Sequence, residues 1–517
     1  MGIPSRREAQ GDRRYDVVII GGGINGTSAA RELTAAGYKV LLAEMFDLAH
    51  GASSRSSRIL HCGLRYFETS RPLRSFLSSP RRLASAAGMA RAAMQARAEL
   101  SALRPEICKP FTMCFPVYGG DAVKGWHLDL GFGLLRRLGP ARPVLDYRRV
   151  AGDFDRHVPF VCDLRDRDRL RSVATYREYI IDSPDRLCVD AALEAERGGA
   201  ELRLFTRATI AGRTAEGGWS LRLSGQGSVE MVEAPVVLNL AGTWSDEIIA
   251  GIAPEPRVPL VTGTKGAHIV VRLPPRYAGH GIACLHRGGH PFYCLPLGGD
   301  LFCFGPTETP YGGDAADAVA TDEDVAFLIE EANFLLPGLR LRRSDVVFTW
   351  AGVRPLGYDA RQPMGRRVRE IHDLADRGLP GIFAMTAGPV MSHLSAGRDL
   401  RKAVGRVLAP SRLPPVPPLP ASRPDPAAGD AARMRHAVGA EHARDLMGIL
   451  YTRTGLAWGR HLDRRTVEVA AETVSDLLGW SPGDVATQVD SFMRHQNIRF
   501  ARRETDRLSV DRVEART

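Results

Sequence analysis

The stretch YDVVIIGGGING, residues 15–26, decides the fold of this chain. Its β-branched run, 17–20, is typical of a buried strand, and the glycines after it permit a tight turn. The Ala-rich segment that follows predicts a helix ending at Ala36, because Gly37 stands where a helix prefers to stop. A second strand, Lys39 to Ala43, completes a β-α-β unit with the glycines at its first turn.

Gly21, Gly23 and Gly26 match the spacing of the dinucleotide-binding fingerprint, and Glu44 follows the last glycine by 18 residues. A bare G-x-G-x-x-G is common in loops, whereas strand, glycines, helix, strand and acid in this order are specific. The glycines let a pyrophosphate approach the backbone at the positive end of the helix, and the acid accepts the ribose hydroxyls. We therefore predict that these four residues contact a dinucleotide cofactor.

Two features favour FAD over NAD as that dinucleotide. The loop SSRSSR, residues 53–58, carries hydroxyls and cations that suit a pyrophosphate and the edge of an isoalloxazine ring. Segments with the pattern of the same domain also occur much later in the chain, at 236–242 and 381–400. An FAD-binding domain is typically interrupted by insertions in this way. The cofactor contacts predicted in these segments are Ser53, Ser54, Ser57 and Gly242.

Composition indicates an ordinary globular protein and excludes several classes. Of 517 residues, 44% are hydrophobic and 25% charged, which allows two or three domains. No run reaches the ~18 apolar residues of a membrane-spanning helix. The polar start predicts no export signal, and Arg6 does not suit a myristoylation site. Eight scattered cysteines without zinc spacing predict reduced thiols of a cytoplasmic protein and no metal site.

The chain has a net charge of +10, from 69 basic and 59 acidic residues, and all but five of the basic residues are arginine. Codon bias toward arginine is the simplest explanation, and the alternatives are an anionic substrate, an anionic membrane surface or nucleic acid. No lysine stands in a G-K-S/T context, which excludes a P-loop phosphotransferase. Because no reader motif occurs, we expect no nucleic-acid partner.

After residue 70, the distribution of apolar residues predicts five further segments of secondary structure before the linker. The segments are a helix at 81–103, an irregular apolar stretch at 111–138, short strands and turns at 176–242, strands at 258–350, and a strand, turn and helix at 381–407. Eight prolines in 409–426 predict a linker. Beyond it, 430–510 is helical by period, with Ser481 as an N-cap ahead of Pro482.

The residues after the fingerprint resemble the FAD-dependent glycerol-3-phosphate dehydrogenases of the D-amino-acid-oxidase-type superfamily. The stretch SSRSSRILHCGLRYFE, residues 53–68, is similar to the family pattern S-S-x-S-S-K/R-L-I-H-G-G-L-R-Y-L-E. Further matches are KGAHIVV at 265–271, TWAGVRPL at 349–356 and ILYTRTGL at 449–456. The similarity therefore covers nearly the whole chain in the family's order.

The resemblance implies an α/β fold, α+β overall: a glutathione-reductase-type FAD-binding Rossmann domain, an antiparallel-sheet substrate domain and a C-terminal helical domain. Residues 1–408 would form the FAD-dependent oxidoreductase region, 409–429 the linker and 430–517 the helical domain. Within 1–408, the FAD-binding segments are about 12–75, 160–258 and 346–408, and the substrate segments about 76–159 and 259–345.

The implied reaction oxidises the C2 alcohol of sn-glycerol 3-phosphate to dihydroxyacetone phosphate, with hydride passing to flavin N5 and electrons to quinone or oxygen. The alternatives are the same scaffold acting on another small anionic alcohol, hydroxy acid or amine, and an FAD-binding protein without turnover. The resemblance allows a homodimer and a peripheral position on the inner face of the plasma membrane. The segment 125–138 fits either a membrane interface or a core-packing helix.

Arg65 and Arg354 fall on positions that resemble the family's anion ligands, where a guanidinium holds phosphate through two hydrogen bonds and stays charged when desolvated. Arg354 is also a catalytic candidate. Tyr66 would support the same anion, and Arg367 aligns more loosely with a further family arginine.

Removing the hydroxyl proton as hydride leaves carbon requires a base, and histidine suits that task near neutral pH. His268 and His61, both in matched motifs, are the candidates, with His268 first.

The chain departs from the family near 386–394, where TAGPVMSHL replaces F-G-G-K-L-T-T-Y-R. The family lysine thus becomes Pro389, which suits the first position of a helix whose positive end would stabilise negative charge on the flavin. Gly388 and Pro389 complete the predicted cofactor contacts. Glu308, in Pro306-Thr307-Glu308, replaces the aspartate of the family's T-T-D.

Overall fold

The structure is a computed structural model that describes residues 13–67, 79–121, 123–225, 227–252, 258–415 and 428–500. The motif residue Glu68, most of the proline-rich linker and the end of the predicted helical region, 501–517, lie outside the described residues. No helix in the described ranges has the length and apolar character needed to cross a bilayer.

The strands of the described residues follow one another in this order: β1 Val17–Ile20, β2 Val40–Ala43, β3 Ile59–Leu60, β4 Cys108–Tyr118, β5 Arg148–Val150, β6 Leu170–Ile181, β7 Glu201–Arg203, β8 Arg207–Arg213, β9 Trp219–Gly225, β10 Ser228–Ala234, β11 Val236–Asn239, β12 Val261–Arg272, β13 His280–Leu285, β14 Pro291–Gly298, β15 Leu301–Gly305, β16 Thr309–Pro310, β17 Val346–Gly357, β18 Glu370–Asp373 and β19 Ile382–Thr386. The α-helices are α1 Ile24–Ala35, α2 Pro80–Leu103, α3 Gly125–Leu138, α4 Phe154–His157, α5 Pro184–Arg197, α6 Ser245–Ala250, α7 Asp322–Leu335, α8 His393–Val404, α9 Gly429–Glu441, α10 Arg464–Leu478 and α11 Pro482–Arg499.

The glycine motif belongs to a six-stranded sheet with the order β18-β19-β11-β1-β2-β7. All neighbouring pairs in it are parallel except β18 with β19. Helices α1, α5 and α8 cover Val17 and Ile19 on one face of β1, and the small sheet β8–β10 covers Val18 and Ile20 on the other, which explains the unbroken apolar run. The predicted order of strand, glycines, helix and strand is confirmed.

A ten-stranded, mainly antiparallel sheet forms the second layer, with the order β16-β12-β15-β14-β13-β4-β6-β3. Strand β17 pairs with β12 and β5 with β6. In the long β12–β17 pair, Gly266 lies opposite Gly352 and His268 opposite Trp350. This sheet confirms the expected α/β class, whereas the domain boundaries stay a prediction.

Three segments differ from the sequence prediction. The stretch 111–138, expected to be irregular, forms most of β4 and all of α3. Helices α5 and α7 occupy parts of segments that were predicted to be strands and turns. Signals for α5 and α7 are nevertheless present in the sequence, because Ser183 and Thr321 cap these helices and charged residues separate their apolar ones.

Helix α3 packs into the core through Leu128, Phe132 and Leu135 and leaves Trp126 and Leu130 at the surface, 52% and 63% exposed. One face of this segment is therefore a core-packing face. The other is apolar and open.

The C-terminal helices share a core with the large sheet. The ring of Phe348 on β17 stacks on Phe500 at 4.9 Å, and the π-helix Gly448–Arg453 places Tyr451 in the same cluster. Ser481 caps α11 as predicted, accepting a hydrogen bond from the Asp484 amide at 3.2 Å. This packing brings Trp458 close to the functional cavity.

Candidate active site

A cavity of about 700 Å³ lies between the two large sheets and is lined from both. That volume is within the usual range of cofactor and ligand sites. The wall contains all predicted site residues except Gly26 and Ser54. Gly26 instead lets α1 pack closely against the glycine turn, because a side chain there would overlap the Gly21 carbonyl. The Ser54 hydroxyl donates to the Gly51 carbonyl at 3.2 Å.

One end of the cavity is made mostly of backbone. Gly21 has a φ of 113°, and a Cβ at this position would lie 2.5 Å from the Leu240 carbonyl oxygen, so the turn requires glycine. Gly23 is the N-cap of α1, whose first turn holds no acidic residue. The Ile24 amide donates to Ser53 Oγ at 3.0 Å, which fixes the serine loop to the helix start. The positive end of α1 thus faces the cavity.

Glu44 follows β2 at the same end. Its Oε2 accepts from the Gly22 amide at 2.6 Å and its Oε1 from the Phe46 amide at 2.8 Å. Burial raises the pKa of this carboxyl, although both amide hydrogen bonds act in the opposite direction. Glu44 therefore joins the glycine turn to the loop after β2 and presents its carboxyl group at the cavity wall.

The turn before α8, which contains Gly388 and Pro389, also lines the cavity and contacts the glycine motif. Asn25 Nδ2 donates to the Gly388 carbonyl at 3.1 Å, while its Oδ1 is buried without a hydrogen bond from any described residue. Pro389 lines the cavity but has extended geometry and precedes the 3₁₀ turn Val390–Ser392. The prediction that Pro389 is the first helical residue is therefore wrong, because regular helix begins only at His393. Asn25 was missed, although it lies inside the glycine motif.

The other end of the cavity is lined by cations from separate parts of the chain. Arg65 lies on the 3₁₀ turn Leu64–Tyr66 and Arg354 on β17. The Arg354 guanidinium lies across Gly266, where a side chain would overlap it. Burial, aided by the charge of Arg65, lowers the pKa of Arg354 to about 10. One of its terminal nitrogens, Nη1, is buried and makes no hydrogen bond within the described chain.

Arg367 lies in the same wall but already has an anionic partner. It forms an ion pair with Glu308, whose carboxylate is also 4.0 Å from His290 Nδ1. Burial and the charge of Arg65 lower the pKa of Arg367 to about 10. Sequence reasoning treated Glu308 only as a departure from the family and did not pair it with Arg367.

A buried polar network holds the loop that carries Glu308. Lys265 Nζ lies 2.6 Å from Asp324 Oδ2, and the Thr307 hydroxyl donates to Asp324 Oδ1 at 3.1 Å. The Ala267 amide donates to the same hydroxyl at 2.9 Å. Lys265 is therefore committed to this network.

His268 is held rigidly at the cavity wall. Its ring stacks on Trp350 with centroids 4.6 Å apart, and Nε2 lies 2.9 Å from Ser57 Oγ. Burial, with Arg354 and Arg58 contributing, lowers the pKa of His268 to about 3. The imidazole is therefore neutral at neutral pH, with one ring nitrogen able to accept a hydrogen bond.

His61 is the second neutral histidine in the wall. Its ring meets Tyr66 edge-on at 5.5 Å, and burial, followed by the charge of Arg65, lowers its pKa to about 3. Both predicted base candidates thus reach the cavity, on the same side as the cations.

Arg58 and Trp458 are wall and supporting residues that sequence reasoning missed. Arg58 donates to the Asp182 carbonyl at 2.9 Å, and its guanidinium lies 4.5 Å from the Trp458 ring centroid. Only the cationic character of the 53–58 loop signalled Arg58, and nothing in the sequence linked it to Trp458. The turn between the π-helix and α10 therefore supports a cation at the cavity.

Residues 16–400 match the protein family described as DAO, FAD dependent oxidoreductase. The chain belongs to this family. A glycerol-3-phosphate dehydrogenase of Synechocystis is 27% identical over 427 residues, 78% of this chain and 72% of that one. A D-erythritol 1-phosphate dehydrogenase of Brucella abortus is 29% identical over 386 residues, 72% and 70% of the two chains.

A solved structure shows the same fold. The glycerol-3-phosphate dehydrogenase of Bacillus halodurans, complexed with FAD, superposes with a TM-score of 0.66 at 17% identity, covering 94% of this chain and 95% of that one. FAD is the cofactor of this family, and the backbone end of the cavity fits it: a glycine turn that admits no side chains, a helix end without acidic residues and the unpaired Asn25 Oδ1.

Proposed function

We propose that this oxidoreductase oxidises the secondary alcohol of a small phosphorylated polyol, with sn-glycerol 3-phosphate as the first candidate and dihydroxyacetone phosphate as its product. The observation that carries the proposal is Arg354, a buried guanidinium with an unpaired Nη1 in a cavity wall that also contains Arg65. Because a buried cation without a partner costs free energy, this end of the cavity favours an anionic ligand.

Arg65 and Arg354 would bind the phosphate and Tyr66 would support it. Guanidinium forks suit this role because they form paired, charge-assisted hydrogen bonds to phosphate oxygens. The anion would lie beside the two buried histidines. Arg367 is paired with Glu308, which offsets its positive charge. It would therefore contribute mainly to the shape of the cavity wall.

Gly21, Gly23, Glu44, Ser53, Gly242 and Gly388 would hold FAD at the backbone end. When bound, FAD supplies a flavin ring that accepts hydride from the alcohol carbon. The task of the protein's residues is then to hold the alcohol in place and to accept its hydroxyl proton. His268 is the candidate for the second task, because it lines the cavity and its imidazole is neutral at neutral pH.

A second candidate substrate is D-erythritol 1-phosphate. A relative with that activity in its name matches this chain, and Glu308 lies at the cavity wall, where a carboxylate can accept hydrogen bonds from additional hydroxyls. At position 389 the family carries a lysine, whereas this chain has proline. This position therefore contributes no positive charge to the binding of either substrate.

We also propose that electrons pass to quinone and that α3 contacts an anionic membrane. The exposed Trp126 and Leu130 share this helix with Arg136 and Arg137, a combination that suits an interface. Vesicles with anionic lipid should sediment the wild type and not Trp126→Ser/Leu130→Ser. Equal sedimentation would reject the contact. The homodimer stays a prediction.

A substrate panel tests the proposed reaction. We expect dye-linked turnover with sn-glycerol 3-phosphate or D-erythritol 1-phosphate, and little with glycerol or glycine, because only the phosphates supply the anion. Faster turnover with glycine than with either phosphate would overturn the proposal and favour an amine oxidase. No turnover with any compound, from a protein that binds FAD, would favour a protein without catalysis.

A further inference from the structure

His268 lines the cavity that it is proposed to serve but presents very little of its surface to it. The residue is only 2% exposed. Its Nε2 is engaged by Ser57 Oγ at 2.9 Å, and its Nδ1 is buried without a hydrogen bond from any described residue. One ring nitrogen is therefore engaged and the other is buried, so neither is open to a direct hydrogen bond from a substrate hydroxyl.

The imidazole is also fixed in this position. Trp350 stacks on one side of the ring with an interplanar angle of 10°. Gly305 packs so closely that a Cβ there would lie 2.7 Å from His268 Cδ2. Because both neighbours belong to the large sheet, rotating the ring toward the cavity would disrupt its packing.

Ser57 contacts this ring and also lines the cavity. The residue is partly buried, lines the cavity wall and belongs to the loop that Ser53 fixes to the start of α1. A hydroxyl has one donor and two acceptor positions and rotates freely. Ser57 can therefore donate to His268 Nε2 while it accepts a hydrogen bond from a ligand hydroxyl in the cavity.

We propose that Ser57 relays the alcohol proton to His268, an inference that rests on the proposed function. The substrate O–H bond breaks and its proton joins Ser57 Oγ. At the same time the Ser57 proton moves to His268 Nε2, which gains an N–H bond. The electron pair of the broken substrate O–H bond forms the second carbon–oxygen bond of the ketone as hydride leaves the carbon for the flavin.

The surrounding charges link this relay to substrate binding. Arg354 and Arg58 face His268, and both oppose its protonation. A phosphate bound to Arg354 would offset one of these charges. The imidazole would then accept the relayed proton more readily with the anionic substrate bound than in its absence.

The kinetic test compares three substitutions in the holoenzyme by anaerobic stopped-flow. With saturating glycerol 3-phosphate, Ser57→Ala should slow flavin reduction roughly 100-fold, because proton transfer by a positioned base contributes at least that factor. Ser57→Thr should recover most of the rate, since it restores a hydroxyl. Ser101→Ala removes a hydroxyl from α2, one that lies outside this cavity and donates to the Ala98 carbonyl, and should reduce at the wild-type rate.

Two further measurements separate a relay from a structural role. In mixtures of H₂O and D₂O, the wild-type reduction rate should curve with deuterium fraction, as expected for two protons in flight, and become linear in Ser57→Ala. In ¹⁵N-histidine-labelled holoenzyme, with His268→Gln for assignment, Nε2 of His268 should be unprotonated and should shift in Ser57→Ala.

The outcomes are distinguishable. A wild-type reduction rate in Ser57→Ala, or a protonated Nε2 in the resting enzyme, would overturn the relay while leaving the proposed function intact. If neither phosphorylated polyol reduces the wild-type flavin, the proposed function fails, and the relay with it. Recovery of the rate by Ser57→Thr, together with the linear deuterium dependence of Ser57→Ala, would support the relay.

Discussion

The two ends of the cavity are built by different means. The nucleotide end consists mainly of backbone, much of it from the segment 17–53, in which Gly21 and Gly23 make room and Glu44 holds two amides, with Gly242 and Gly388 added by later segments. The substrate end consists of side chains from distant segments, including Arg65 and Arg354. The nucleotide end therefore depends on local chain geometry, whereas the substrate end depends on charges assembled by the fold. Substitutions at one end should leave binding at the other end unchanged.

The largest expected effect is at the substrate end. Arg354→Met should lower kcat/KM for glycerol 3-phosphate by 10²- to 10³-fold, because two charge-assisted hydrogen bonds are worth about 3–4 kcal/mol together. FAD content should stay at the wild-type level. Without substrate, the variant should unfold at the same or a higher temperature, since a buried cation has been removed.

Steady-state kinetics and the flavin absorbance of the purified protein check this prediction. Arg171→Met, which removes an exposed arginine outside this cavity, serves as the control. Loss of FAD from Arg354→Met would show that the two ends are not independent.

At the nucleotide end, Glu44→Gln should weaken FAD binding by 10- to 100-fold, because a neutral amide oxygen replaces a charged acceptor worth about 1.5–3 kcal/mol per bond. Fluorescence titration of apoprotein with FAD measures the change. Once saturated with FAD, the variant should bind substrate like the wild type. A raised substrate KM at full FAD occupancy would contradict the independence of the two ends of the cavity.

The buried histidine predicts a pH effect on stability. Because the pKa of His268 falls from 6.5 unfolded to about 3 folded, the unfolded chain binds the extra proton below pH 6.5. This contribution is neutral above pH 6.5 and destabilising as pH falls toward 3, reaching about 2 kcal/mol at pH 5. Urea unfolding at pH 7 and 5 should show a smaller loss of stability for His268→Gln than for the wild type. Equal losses would mean that the histidine is protonated in the folded state.

The smallest effect concerns the space that Gly266 leaves for Arg354. In Gly266→Ala the new methyl group should displace the guanidinium and raise the substrate KM about 10-fold, equal to ~1.4 kcal/mol, with little change in FAD content. Gly439→Ala, at an open position on α9, is the control and should keep KM while stabilising the fold by about 0.5–1 kcal/mol. An unchanged KM in Gly266→Ala would show that Arg354 does not hold the anion where it lies in this structure.

The same contrast explains what the sequence could predict. The β1-turn-α1 unit was predictable because its glycines, helix stop and acid are adjacent in the chain. Pairing of Arg367 with Glu308, and of Arg58 with Trp458, was not, because each joins segments far apart in sequence that meet only through tertiary packing. Pro389 was placed inside a helix because the local rule for proline does not show where regular helix begins.

The central claim is that a phosphorylated alcohol held by Arg65 and Arg354 delivers its electrons to FAD in this cavity. Anaerobic titration of the purified holoenzyme with sn-glycerol 3-phosphate tests it most directly. The account predicts that the visible flavin band bleaches in the wild type and at least 100-fold more slowly in Arg354→Met at equal subsaturating substrate. Equal bleaching rates in both proteins, or bleaching by unphosphorylated glycerol as fast as by the phosphate, would contradict it.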